Sequence, residues 1–248
     1  MSALKHVLGT TRPPFLILTP ACVAVGVGTA FWKTGQLDWL QVLLVLIGAL
    51  SAHICVNVFN EYFDFKSGLD ARTQRTPFSG GSGTLPASPE LAQAAFILAW
   101  TTFAITALIG AYFVWQRGWL LLLIGIPGLV LLVTYTIWWV YRPIFCLLAP
   151  GLGFGILMVM GTHFALTGEY TWTSFVAALV PTFLVSNLLL LNQFPDVEAD
   201  QSIRRRHYPI TIGRKASSVL YGLFMLGAYL SIILGVVLGW LPAFSLIA

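Results

Sequence analysis

The sequence predicts an all-α fold, a multi-span bundle of transmembrane helices, on three observations. Of its 248 residues 58% are hydrophobic and only 9% charged, whereas a soluble domain carries roughly 25% charged residues. Seven runs reach the ~20 mostly apolar residues that a helix needs to cross a bilayer: 14–32, 39–62, 91–115, 118–138, 145–167, 172–194 and 216–239. Lys and Arg fall in alternate connections between these runs, the bias that orients membrane helices.

The first run, from Pro14, lacks a small-residue cleavage site after a short core, so it reads as a retained helix and not a signal peptide. The second closes in a cluster of amides and carboxylates. Trp32, Trp115, Trp119, Trp138, Trp139, Trp172 and Trp240 stand at run ends, as interfacial anchors do. The fifth run contains Gly151–Gly155, GLGFG, which no strand precedes, so close helix packing accounts for it. His53 and His163 lie inside runs and are expected to be hydrogen-bonded structural residues. Residues 241–248 have the composition to begin an eighth span. No linker divides residues 1–248, so one integral-membrane domain is expected. Cys22, Cys55 and Cys146 form no paired motif and read as buried thiols.

The net charge is +4, but the basic residues border apolar runs, which speaks for membrane orientation and against a nucleic-acid partner. With a cytoplasmic N-terminus, Lys5, Arg12, Lys66, Arg72, Arg75, Arg142, Arg204, Arg205, Arg206, Arg214 and Lys215 lie inside, and Lys33 and Arg117 outside. The bilayer is then the chain's environment.

Chemistry concentrates at Asn57–Gly83. On a helix Asn57, Asn60, Glu61, Asp64 and Gly68 share one stripe, with Asp70 just beyond, and such a stripe suits a metal ion. Asn192, Asp196 and Asp200 repeat the pattern at four-residue spacing near the end of the sixth run. Two acidic sites at helix ends, each trailed by Arg and Lys, can hold a diphosphate through divalent ions. The competing readings are solvated carboxylates beyond the membrane and, for Asn57, an interhelical hydrogen bond. Arg72 stands two residues beyond Asp70, placed to offer a bidentate fork to a phosphate. The Arg204–Arg206 run serves orientation as readily as a site. Residues 79–83, SGGSG, lack the ending of a nucleotide loop and read as a flexible turn. Pro195 is placed to kink the sixth helix and aim Asp196 inward.

Asn60-Glu61-Tyr62-Phe63-Asp64, with Gly68 and Asp70, resembles the first aspartate-rich motif of the UbiA superfamily of intramembrane prenyltransferases. Asp196-Val197-Glu198-Ala199-Asp200, followed by Thr211-Ile212-Gly213-Arg214, resembles the second. Arg12-Pro13-Pro14-Phe15, Gly68 with Asp70, Gly161-Thr162 and Thr167-Gly168-Glu169 are most similar to the 1,4-dihydroxy-2-naphthoate polyprenyltransferase branch. Glu61 departs from the family's usual Asp, keeping the charge on a longer arm.

The resemblance implies transfer of a polyprenyl group from an allylic polyprenyl diphosphate to an aromatic acceptor, 1,4-dihydroxy-2-naphthoate in menaquinone biosynthesis. It implies Mg2+ as cofactor, one ion at Asn60 and Asp64 and another at Asp196 and Asp200, with Asp64, Asp196 and Asp200 as catalytic carboxylates. Arg72, Arg12, Lys66, Arg142 and Arg206 would bind the diphosphate, and Asn57, Glu61, Asp70, Asn192 and Tyr135 are further candidates. Tyr62, Phe63 and Tyr135 offer aromatic faces to a prenyl cation. The expected location is a bacterial inner membrane, with the N-terminus and both motifs cytoplasmic. Family members carry nine helices, so either the chain is a fragment lacking C-terminal helices or its bundle is incomplete. Other acceptors, 4-hydroxybenzoate, homogentisate, haem or a chlorophyll precursor, are alternatives within the family. Outside it, intramembrane carboxylates fit an ion-coupled transporter.

Overall fold

The computed structural model describes residues 7–70 and 80–247. Among them there are helices and turns but no strand. Two short 3-10 turns lead into α1, Leu18–Thr34. The long helix α2, Trp39–Ser67, starts where the Asp38 carboxylate accepts the free N–H groups of Leu40 and Gln41, at 2.9 and 3.3 Å. It stops at Gly68, whose φ of 74° is left-handed and closes the last turn. These two ends fix where Asn57, Asn60 and Asp64 stand.

The remaining long helices are α3, Ala92–Arg117; α4, Leu122–Thr134; α5, Pro143–Thr167; α6, Trp172–Asn192; and α7, Gly213–Val237. Among the described residues six helical stretches are long and apolar enough to span a membrane, so the chain is an integral membrane protein. The fourth predicted span is shorter than expected: its apolar helix covers Trp119–Thr134, and the chain then turns through residues 135–138. Tyr135, Trp138 and Trp139 prolong the hydrophobic run without prolonging the helix, which hydropathy does not register. Residues 243–247 form a 3-10 turn, with Phe244 packed edge-on against Trp32 at 6.1 Å, where the start of an eighth helix was expected.

Helix α2 lies along α3, and α6 along both α5 and α7. A methyl group added at Gly151 or Gly155 would collide with Thr182, so α5 and α6 meet with their backbones close. Around Gly155 the helix loosens into a π segment, Gly153–Val159. The histidines inside the bundle are hydrogen-bonded: His53 Nδ1 lies 2.8 Å from Thr19 Oγ1, and His163 bridges Thr29 at 3.0 Å and Thr171 at 3.1 Å.

Candidate active site

At the end of α2 the stripe expected on one face divides between two jobs. Asn60 and Asp64 line a cavity, while Glu61 is fully buried beside it. Glu61 Oε1 accepts from Arg12 Nε at 2.6 Å and from the Ser82 N–H at 2.7 Å, and its Oε2 accepts from Ser82 Oγ at 2.6 Å. Arg12 also donates to Asn60 Oδ1 at 2.8 Å. It is held in a left-handed conformation, φ 52°, rare for a residue with a Cβ. One buried carboxylate therefore ties the N-terminal segment and the glycine-rich turn to α2. The turn is fixed at Ser82, where a flexible connection was expected. A side chain at Gly81, φ 72°, would press on Asp70 and Glu61. Asn57 donates to the Thr11 carbonyl at 2.9 Å and also lines the cavity.

The second cluster is not one continuous helical stripe. Helix α6 ends at Asn192, residues 193–196 turn, and a short helix resumes at Val197–Ser202. Pro195 lacks the N–H that would continue the ladder and disfavours helical geometry at the residue before it. Asp196 and Asp200 thus reach the cavity from the turn and from the short helix. Arg204, at φ 63°, then reverses the chain and turns Arg205 inward. Arg205 donates to Asp64, and its Nη1 donates to Asp200 Oδ1 at 3.3 Å. His207 Nε2 stands 3.2 Å from Asp200 Oδ2, within ion-pair range but not aligned as a hydrogen bond.

Both clusters line one cavity of about 650 Å³. Its wall follows α2 from Val45 to Asp64, a length of about 28 Å at 1.5 Å per residue. Away from the carboxylates the lining is apolar, with Ile109, Phe113, Leu129, Leu132 and Leu157. At the polar end Glu61 pairs with the guanidinium of Arg12, and Asp64 and Asp200 pair with that of Arg205, with Asp196 also in the cavity lining. Burial, followed by the charges of Asp64 and Glu61, pushes the Asp70 carboxyl up to about 7.

The donor set suits a hard divalent cation. Its oxygens come from Asp and Asn, and Asp70 Oδ2 is buried with no hydrogen-bond partner among the described residues. Among those residues no three carboxylate, His or Cys side chains already close into a cage. Magnesium is commonly held by one or two carboxylates completed by phosphate oxygens and water, so a preformed cage is not required. A carboxylate also has lone pairs beyond the one that Arg205 engages.

Asn192, Asp70 and Tyr135 line the cavity. Lys66 and Arg142 are exposed and lie over the rings of Tyr62 and Trp138, 5.7 and 5.1 Å from their centroids. Arg206 is exposed, and Arg205 stands where it was expected. Arg72 lies outside the described residues. Tyr62 and Phe63 pack in an aromatic cluster with Phe59 and Phe96, which leaves Tyr135 as the cavity-lining member of that trio. His207 and Gln193 escaped the sequence reading, and Arg205 and Ser82 entered it only as members of the Arg204–Arg206 run and the 79–83 turn. The spacing of Arg205 from Asp200 was visible, but consecutive arginines offer no sign of which one turns inward.

A cavity with an acidic, arginine-braced end and a long apolar remainder, set among membrane helices, fits a molecule with an anionic head and a hydrocarbon tail. The chain belongs to the UbiA prenyltransferase family, whose profile matches residues 19–248. It is an integral membrane prenyltransferase, and the family overturns the transporter alternative. It is 28% identical over 226 residues to a 1,4-dihydroxy-2-naphthoate octaprenyltransferase of Bacillus subtilis (strain 168), covering 90% of this chain and 71% of that protein. With a protein of the same description from Mycobacterium leprae (strain TN), identity is 26% over 251 residues, 97% of this chain and 81% of the relative. The solved structure of a UbiA homolog from Archaeoglobus fulgidus bound to DMAPP and Mg2+ superposes with a TM-score of 0.71. That match covers 92% of this chain and 76% of the other at 13% identity, a likeness of fold.

Proposed function

We propose that this protein transfers a polyprenyl group from an allylic prenyl diphosphate to 1,4-dihydroxy-2-naphthoate, in a magnesium-dependent step of menaquinone biosynthesis. The observation that carries the reaction is the single cavity joining Asp64, Asp196 and Asp200 to an apolar shaft. The acceptor is supported by the names of the Bacillus and Mycobacterium relatives.

Asn60 and Asp64 would hold one Mg2+, and Asp196 and Asp200 another. Bound there, the ions would neutralise charge growing on the departing diphosphate. Arg205 and Arg12 offer the same diphosphate hydrogen bonds, each already held in place by a buried carboxylate. The apolar wall along α2, α3 and α4 shelters the allylic fragment from water, and Tyr135 offers it an aromatic face. An electron-rich ring carbon of the acceptor would then bond the allylic carbon as diphosphate departs, the ring proton lost on rearomatisation passing to a nearby carboxylate, and the hydrophobic product would remain in the bilayer.

The polar end faces the cytoplasm of a bacterial inner membrane in this reading. Its support is the gathering of Arg12, Arg205 and their carboxylates at one end of the bundle, and of Lys33, paired with Glu169 at 3.3 Å, at the far end of α1. The test is an acceptor screen in membranes containing the chain, with labelled geranylgeranyl diphosphate, magnesium and each candidate aromatic offered separately. Magnesium-dependent transfer to dihydroxynaphthoate is the expected result. Transfer to 4-hydroxybenzoate or homogentisate instead would replace the acceptor, and transfer to none would overturn the proposal.

A further inference from the structure

Two side chains in the cavity wall have no part in holding the diphosphate. Gln193 follows the end of α6 and is 5% exposed; His207 follows the arginine turn and is 2% exposed. Both line the cavity. The Gln193 amide has one partner, Cys146 Sγ, at 3.2 Å from Nε2, and its Oε1 has none among the described residues. Whichever way the amide is turned, one of its two polar atoms is left over. The His207 ring has Nε2 3.2 Å from Asp200 Oδ2, yet both of its nitrogens are buried with no hydrogen-bond partner among the described residues.

The two groups stand against the same stretch of α5. Gln193 bonds Cys146 in the first turns of that helix, and the residues after His207, Tyr208–Thr211, pack on the same segment. Tyr135, which lines the same cavity, also interacts with Cys146, adding an aromatic face. Whichever tautomer it adopts, a neutral imidazole has one acceptor nitrogen, and a buried acceptor needs a donor. An ionised diphosphate is rich in acceptors and has no O–H to give, and a prenyl tail has neither. A hydroxylated aromatic ring brings donors of the required kind.

We infer that Gln193 and His207 form the subsite that binds the acceptor, each hydrogen-bonded to a ring hydroxyl of a dihydroxylated aromatic. The inference rests on the prenyl-transfer reading and names which residues select the acceptor. The ring lies along Tyr135, next to Arg205 and the end of the cavity where the diphosphate departs. Discrimination in favour of a hydroxyl is strong when a site is built to bond it, because the analogue lacking it leaves a buried polar atom unpaired.

Equilibrium binding to the full chain in detergent, with 1,4-dihydroxy-2-naphthoate and 1-hydroxy-2-naphthoate as probes, tests this. The unmodified protein is expected to bind the dihydroxy probe about tenfold or more tightly than the monohydroxy one. Gln193→Met, which keeps the shape and removes the amide, should erase that preference or lower affinity for both probes through the other hydroxyl, without a matching loss of geranylgeranyl diphosphate binding. Equal weakening of the diphosphate would mark Gln193 as structural and overturn its role. Should the variant fail to fold, the two probes on the unmodified protein decide: equal affinities overturn the subsite. If the protein transfers prenyl groups yet ignores the hydroxyls, the inference alone fails. If it transfers to no hydroxylated ring at all, the functional reading falls and the inference with it.

Discussion

Arg205 donates to Asp64 across 141 positions of sequence, so the basic loop after the second acidic cluster supplies the counter-charge of the first. Both side chains are nearly buried, and Arg205 binds Asp200 as well. Removing one partner from a buried ion pair leaves an uncompensated charge and costs about 3–5 kcal/mol. Arg205→Ala should therefore lower thermal stability in detergent by that order, and less so in excess magnesium, where a bound cation would replace the lost charge. Arg206→Ala, at an exposed residue, should change stability by less than about 0.5 kcal/mol. Equal effects of the two substitutions would contradict the arrangement.

Asp64→Ala and Asp196→Ala are each expected to reduce prenyl transfer to below about one-hundredth of the unmodified rate. The folded bundle should persist, because Arg205 keeps Asp200 when Asp64 is lost. Transfer assays on membranes with matched protein levels check this. Activity retained in both variants would remove the two-ion arrangement.

Chelation with EDTA should stop transfer, and added Mg2+ should restore it. Binding of geranylgeranyl diphosphate should weaken in the same experiment, since Asp64, Asp196 and Asp200 line the cavity that would receive the anionic head group. Diphosphate binding that is indifferent to EDTA would assign the head group to the arginines alone.

Glu61 holds three donors at once, so its replacement tests a fastening and not a metal ligand. Glu61→Gln keeps the size but removes the charge that Arg12 pairs with, at a cost of about 2 kcal/mol for a charged hydrogen bond. Glu61→Asp shortens the arm and should lose contact with Ser82 or Arg12. Both should raise the KM for the prenyl diphosphate through misplacement of Arg12. A rise confined to the acceptor KM would disagree.

Asp70 makes stability depend on pH. Its folded pKa, about 7, lies above the ordinary 3.8 because of burial and then the charges of Asp64 and Glu61. Between those values the folded state holds a proton that the unfolded state releases, so stability falls as pH rises from about 4 to about 7. Asp70→Asn should flatten that portion of the melting profile in EDTA and stabilise the protein above pH 7. An unchanged slope would show that Asp70 is not the titrating group.

The sequence alone determined the membrane bundle, six of the seven membrane-length helices it predicted, the two acidic clusters and the family they resemble. These are local properties: a run of apolar side chains must avoid water wherever it stands, and carboxylates four residues apart on a helix share a face. Tertiary structure alone decided what each polar residue touches. Pro195 and the left-handed Arg204 re-aim the chain after α6, so Arg205 turns inward and Arg206 outward, although the two look alike in sequence. Glu61 resembles a metal ligand until Arg12 and Ser82 arrive on it from segments 49 positions before and 21 positions after. The roles of Gln193 and His207 depend on Cys146 and Asp200, partners chosen by the fold. Hydrogen bonds are directional and short, so their pattern follows from where the backbone turns, and a list of residue types does not contain it.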